Sequence, residues 1–450
     1  MRTITWNWHD FPGQQGEGLS GGAVRAHHDL TELHGEREFL RQLLLPDPAR
    51  PVGITRTNND NRIRALDLDT GKTLWVSPDV LPVVANEAWQ VSQLSLGDLD
   101  GDGTPEVVMA TYRGDVLCFN AADGSVRWQV RLPWHINNPR LDVKRAQAGA
   151  GAHIALTVGN DFDWVTAHAR PRINLVRNPT LILLDGDGEV VMKVPDYSAS
   201  NGNGHNVWME DVDGDGLCEI FCSGDREVLV YKGSGERLCS LPCKGEDPER
   251  LDTHPDDLTS FDWFPDRPGR EILYLDGTDG VIIAGADGKV LRRKLFPKEM
   301  ASHLQNITPF ATPEGPRLLC QNIRSRESKL LCLDQNLDIV WAAWMEGDMV
   351  GVRLLDWDGD GMPEIVCGSH GKGKWNPNGV DYAGIQVMRL DGTPLYWHRF
   401  VEGCAAGALA ALPRPGAGAD VVVGVGTYGG PEGRFSLAAD AHQHLCIMGG

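Results

Sequence analysis

Residues 98–106 read Asp-Leu-Asp-Gly-Asp-Gly-Thr-Pro-Glu, DLDGDGTPE in one-letter code. Alternate residues of a tight turn point inward, so Asp98, Asp100 and Asp102 converge on one point. Gly101 and Gly103 let the backbone wrap that point. Glu106 closes it from the strand that follows. Hard oxygen ligands in this number suit calcium over magnesium or zinc. An EF-hand closes later in its loop and lies between helices, whereas this loop joins the strand-like stretches within Gln93–Met109. The same set recurs as Asp211, Asp213, Asp215 and Glu219, and again as Asp356, Asp358, Asp360 and Glu364. A worn copy, FDWFPDRPGREILY, occupies residues 261–274. One copy reads equally as an Asp-Gly turn without an ion. Three copies between strands, in phase with a second repeat, favour calcium.

That second repeat is a hairpin: a short apolar strand, a turn of D/N-x-x-G type, then a strand often ending in Trp. It reads ALDLDTGKTLW at Ala65–Trp75, LCFNAADGSVRW at Leu117–Trp128, LILLDGDGEVV at Leu181–Val191 and VLVYKGSGERL at Val228–Leu238. It continues as VIIAGADGKVL at Val281–Leu291, LLCLDQNLDIVW at Leu330–Trp341 and IQVMRLDGTPLYW at Ile385–Trp397. Their spacing is that of one four-stranded blade plus its loops. The tail adds ADVVVGVG and LCIM. The expectation is an all-β chain: a single β-propeller over residues 1–450, eight blades favoured over seven, with calcium loops between the first and second strands of several blades. TITWNW, within residues 1–8, is expected to close the last blade and remove an open edge. Residues 9–50 are expected to form an irregular or helical extension, with Thr31–Leu45 (TELHGEREFLRQLLL) as an amphipathic helix.

Composition narrows the function. Asp and Glu number 62 against 42 Lys and Arg, a formal charge of −20. Nucleic acid and anionic membranes reward clustered cations, so neither is an expected partner. Cation binding and plain solubility both account for the acid excess. No apolar run approaches the roughly 18 residues of a membrane span, and no apolar signal core follows the first residues. The expected location is cytoplasmic, or secreted if a signal has been removed. Many of the 10 cysteines lie in strand-like runs and read as buried free thiols.

If the acidic loops join first and second strands, the opposite rim holds the loops leading into each blade and those joining second to third strands. The leading loops carry Glu87, Trp89, His205, His254, Asp256, His303, Gln305, Glu346, Asp348 and Glu402. His205, His254 and His303 stand at nearly equivalent points of successive repeats. The other loops carry Tyr112 and Arg113; Asn160, Asp161 and Asp163; Arg324 and Arg326; His370, Lys372, Lys374 and Trp375; and Tyr428. Each taken alone reads as a solvated loop residue. Basic groups and His gathered on one rim of an acidic protein point to a small anionic substrate, and long rim loops usually carry function.

The D-x-D-G-D-G-x-x-E loops combined with D-G-x-x-x-W hairpins resemble the FG-GAP/VCBS-type propellers. Among enzymes, residues 53–450 look most like the calcium-dependent, eight-bladed rhamnogalacturonan lyases. That resemblance implies β-elimination on an acidic oligosaccharide or polysaccharide containing uronic acid. His205, His254, His303, Tyr112 and Tyr428 are then the candidates for base and acid. Arg113, Asn160, Arg324, His370, Lys372, Lys374 and Trp375 are the candidates for holding substrate. A non-catalytic glycan- or protein-binding propeller is the alternative. A quinone-dependent dehydrogenase is the weaker third reading, because the tryptophan-docking stretch ALDLDTGKTLW is found in full once.

Overall fold

The second and third strands of each repeat are apolar at successive positions, because a blade is covered on both faces by its neighbours. Ile220 and Cys222 of Glu219–Ser223 pack with Ala155, Leu181 and Leu183 of the preceding blade. Phe221, between them, packs with Leu258, Ile272 and Tyr274 of the following one. Residues i and i+1 thus serve different interfaces, and the strand reads as an unbroken apolar run. Outer strands face solvent on one edge and alternate instead, as Val126–Arg131 does. Full burial of each such aliphatic or aromatic side chain contributes about 1.5–3 kcal/mol.

The structure is a computed structural model. It describes residues 16–17, 22–34, 40, 42–56, 62–78, 94–111, 114–133, 141–149, 151–158, 180–195, 197, 206–224, 227–243, 257–277, 279–297, 300, 304–322, 328–345, 349–369, 382–402, 404–414, 416, 418–427 and 442–450.

Two compact units divide the chain, one of residues 82–316 and 335–337, the other of residues 1–81, 317–334 and 338–450. The first unit holds four antiparallel blades. Blade 2 is Ser95–Gly97, Glu106–Ala110, Asp115–Asn120 and Val126–Arg131. Blade 3 is Leu141–Lys144, His153–Val158, Thr180–Leu184 and Val190–Val194. Blade 4 is Val207–Glu210, Glu219–Ser223, Glu227–Tyr231 and Arg237–Pro242. Blade 5 is Leu258–Phe261, Glu271–Asp276, Gly280–Ala284 and Val290–Leu295. In the second unit, blade 1 is Val52–Arg56, Ile63–Asp67 and Thr73–Val76, with Leu44 bridging Ile54 in the first-strand place. Blade 7 is Met349–Leu355, Glu364–Ser369, Tyr382–Met388 and Pro394–Glu402, with Gly16–Glu17 added in parallel. Blade 8 is Cys404–Pro413, Ala419–Thr427, Gln443–Met448 and Val24–Asp29. The remaining sheet, blade 6, runs Leu304–Thr312, Gly315–Asn322, Ser328–Leu333 and Ile339–Met345. The chain is an all-β, eight-bladed β-propeller, which settles the choice between seven blades and eight.

Two expectations about the N-terminal region are corrected. The fourth strand of blade 8 is Val24–Asp29, antiparallel to Gln443–Met448. TITWNW lies outside the described residues. Where a helix is expected over Thr31–Leu45, the described residues hold one short turn, Leu30–His34. Beyond it, Leu40 and Leu43 are buried against Leu66, Leu68 and Val422, and Leu44 exchanges two 2.8 Å backbone hydrogen bonds with Ile54. The leucine spacing serves a sheet edge rather than a helix face.

The hairpin tryptophans lock neighbouring blades. Trp128 Nε1 donates to Gly186 O at 2.7 Å, in the turn of blade 3. Trp341 Nε1 donates to Leu390 O at 3.1 Å, in the turn of blade 7. Gly188 and Gly392 pass beneath these rings, and a Cβ at either would sit 3.0 Å from the indole. In blade 8, His28 takes the same place, with Nε2 2.9 Å from Leu68 O in the turn of blade 1.

Candidate metal centres

The three acidic loops fold alike. In each, the first Asp receives two glycine N–H groups, one on each carboxylate oxygen. Asp98 accepts from Gly101 at 2.7 Å and Gly103 at 3.0 Å. Asp211 accepts from Gly214 and Gly216, and Asp356 from Gly359 and Gly361. Both glycines of the first loop are left-handed, Gly101 at φ 77° and Gly103 at φ 87°, a conformation that penalises a side chain. The closing acid accepts from the backbone two residues into the loop. Glu106 accepts from Leu99 at 2.8 Å, Glu219 from Val212 at 3.1 Å and Glu364 from Trp357 at 2.8 Å. The next blade braces each loop: Ala152 N donates to Asp98 O at 2.7 Å, Arg270 N to Val212 O at 3.1 Å and Ala419 N to Asp356 O at 2.7 Å.

This wrapping gathers ligand atoms. Asp98, Asp100 and Glu106 each place a carboxylate oxygen within 4.8 Å of the others, as do Asp211, Asp213 and Glu219, and Asp356, Asp358 and Asp360. Asp102, Asp215 and Glu364 stand outside those sets. Asp102 accepts from Thr104 N, and Asp215 from Leu217 N.

The loops differ in their charge balance, which the sequence reading missed. In the first, Arg127 Nη1 lies 2.6 Å from Glu106 Oε1 and Nη2 lies 2.7 Å from Asp100 Oδ2. Its hydrogen bond lowers the pKa of the Asp100 carboxyl. The worn loop of blade 5 has the same device. Glu271 accepts from Trp263 N and Phe264 N, and Arg267 Nε lies 3.5 Å from its other oxygen. The second and third loops have no such arginine among the described residues. Burial raises the pKa of Glu219, and the charges of Asp213 and Asp215 raise it further. Glu364 is raised by burial and by Asp358, Asp360 and Asp356. Arg127 occupies the extra residue of a fourth-strand bulge. The equivalent bulge residues are Leu238 and Leu395. A comparison of the hairpins at this one position finds the difference. A cleft of about 280 Å³ opens beside the second loop, lined by Gln147, Asp215, Glu219 and Lys232 among others.

The rim candidates His205, His254, His303, Tyr112, Tyr428, Arg113, Asn160, Arg324, His370, Lys372, Lys374 and Trp375 all lie outside the described residues. Cys118, Cys218, Cys222, Cys239, Cys243, Cys320, Cys332, Cys367 and Cys446 are free thiols. Among the described residues no helix is long and apolar enough to cross a membrane.

Comparison with known proteins adds partial likenesses. The family profile described as outer membrane protein assembly factor BamB matches residues 59–196, a stretch holding the hairpins of blades 1, 2 and 3. The rhamnogalacturonan exolyase YesX of Bacillus subtilis (strain 168) is 28% identical over 167 residues, which is 34% of this chain and 26% of that protein's length. Among solved structures, Saccharomyces cerevisiae Sqt1 superposes with a TM-score of 0.62 at 11% identity, covering 95% of this chain and 98% of that one. The quinohemoprotein alcohol dehydrogenase of Comamonas testosteroni gives 0.59 at 11% identity, over 95% of this chain and 76% of that one. The chain is thus an eight-bladed β-propeller that is similar to the BamB profile over residues 59–196 and, over 34% of its length, to a rhamnogalacturonan exolyase.

Proposed function

We propose that this propeller is a carbohydrate-active lyase that cleaves a uronic-acid-containing, rhamnogalacturonan-like glycan by β-elimination. Calcium ions held in its acidic loops act as structural staples. The observation that carries the reading is the 28% identity over 167 residues to a rhamnogalacturonan exolyase. The repeated D-x-D-G-D-G-x-x-E loops support assignment to the FG-GAP/VCBS type. In the second and third loops the gathered carboxylates raise one another's cost of ionisation, and a bound calcium ion would relieve it.

Elimination needs three things from the protein. A cation must neutralise the uronate carboxylate, which acidifies the adjacent C–H. A base must take that proton, so that the C–H pair forms the double bond while the C–O bond to the leaving sugar breaks. An acid must then protonate the departing oxygen. Arg113, Arg324, Lys372 and Lys374 are the proposed carboxylate holders. His205, His254, His303, Tyr112 and Tyr428 are the proposed base and acid, and Asn160, His370 and Trp375 complete the substrate rim.

The test is the ultraviolet absorbance of unsaturated product when the whole chain, with calcium present, meets a panel of uronate oligosaccharides. Product release, abolished in at least one of His205→Ala, His254→Ala and His303→Ala, supports the lyase. Tight binding without turnover, unchanged by His205→Ala, identifies a non-catalytic binding propeller instead.

A further inference from the structure

A second group of ligand atoms lies away from the acidic loops, where the third strand of blade 8 meets the fourth. Val24–Asp29 runs antiparallel to Gln443–Met448, in a register that sets Asp29 beside His444. Asp29 Oδ1 accepts from Thr31 N at 2.9 Å and Glu32 N at 3.0 Å, which fixes the carboxylate. Its other oxygen is 2.7 Å from His442 Nδ1 and 3.8 Å from His444 Nδ1. Glu32, on the short helix, brings a carboxylate oxygen within 4.8 Å of both Asp29 and His442. Behind them His27 Nε2 meets His444 Nδ1 at 3.0 Å.

This donor set differs in kind from the calcium loops. Calcium takes oxygen alone, whereas imidazole nitrogen with two carboxylates suits zinc and its first-row neighbours. Three converging donors, one flank exposed at Glu32 and an Asp29 carboxylate fixed by two backbone N–H groups, are the parts of a metal site with an outer shell. We propose that Asp29, Glu32 and His442 bind one divalent first-row metal ion, with zinc as the type, and that this ion staples the fourth strand of blade 8 to its third. Metal would replace the proton between His442 Nδ1 and Asp29 Oδ2.

The probe is zinc alone, titrated by calorimetry into the whole chain saturated with calcium, with X-ray absorption at the zinc edge reporting the donor atoms. One zinc per chain in a shell of oxygen plus imidazole nitrogen is expected. Glu32→Gln and His442→Ala, both at partly exposed side chains that leave the strand pairing in place, should weaken it by about 10–100-fold. Asp213→Asn, in the second acidic loop, should leave it unchanged. Absence of zinc binding, or binding that both variants retain at full strength, overturns the proposal. So does binding that Asp213→Asn removes, because the zinc would then sit in a calcium loop.

Discussion

Arg127 and Glu106 form a 2.6 Å ion pair inside the first acidic loop, where Glu106 is 4% and Arg127 26% exposed in its side chain. Calcium entering that loop must compete with a cation already present. The second and third loops carry leucine at the equivalent bulge and, among the described residues, no such competitor. The prediction is two tight calcium sites and one weaker one. Arg127→Leu should strengthen the weak site by about 10-fold, the scale of one charge-assisted hydrogen bond removed. Equilibrium dialysis counts the sites. Three sites of equal affinity in the unaltered chain would show that the guanidinium swings away at no cost.

Removing calcium should loosen the propeller locally and lower its thermal midpoint. At a calcium concentration about 100 times the dissociation constant, each occupied loop contributes about 2.7 kcal/mol. A calorimetric scan with and without a calcium-selective chelator reads the shift. Asp213→Asn and Asp358→Asn, each reducing the charge of one uncompensated loop, should abolish part of it. A midpoint indifferent to chelator would argue that the loops are hydrogen-bonded turns and nothing more.

Trp128→Ala removes an indole and the 2.7 Å hydrogen bond to Gly186 O. The expected loss is about 2–4 kcal/mol, less than for a fully buried aromatic because Trp128 is partly exposed. Gly188→Ala attacks the same joint from the other side. Gly188 has φ +82°, and a Cβ there would lie 3.0 Å from the Trp128 ring. Urea unfolding of the two single variants and the double should give a double-variant cost below the sum, since both break one contact.

The buried thiols make stability fall in alkali. Burial pushes Cys118, Cys332 and Cys446 up to about 12 from an ordinary value of 9.0. The unfolded chain therefore ionises first. The contribution is complete below pH 9 and is lost as pH rises toward 12, by roughly 1.4 kcal/mol per thiol per pH unit. Thermal midpoints measured from pH 8 to 11 should fall, and a Cys118→Ala/Cys332→Ala variant should fall less steeply. Parallel slopes would assign the alkaline loss to other groups.

The seven hairpins were legible because inner strands such as Glu106–Ala110 are buried at every position, so their apolar runs stand out between glycine turns. The three acidic loops were legible because their ligands lie within nine residues of chain. Val24–Asp29 was not, because it is an outer strand with no fully buried residue, and VRAHHD carries no alternation to detect. Thr31–Leu45 misled for the opposite reason: its leucines repeat at helical spacing while serving a blade edge. Arg127 was hidden because its partners lie in another strand. The Asp29 and His442 contact joins residues 413 apart, beyond the reach of any local pattern.

Blade 8 also sets a schedule for biosynthesis. Val24–Asp29 leaves the ribosome long before its partner Gln443–Met448, since Asp29 and His442 are 413 residues apart. While the residues between the two are made, the early strand has an unsatisfied edge, open to pairing with another chain. The sparse apolar content of VRAHHD, with two histidines and an aspartate, is a safeguard for that interval, since such a segment aggregates poorly while it waits. A ribosome stalled before residue 443 would release a chain whose first strand has nothing to pair with, and such chains should be the ones that quality control removes.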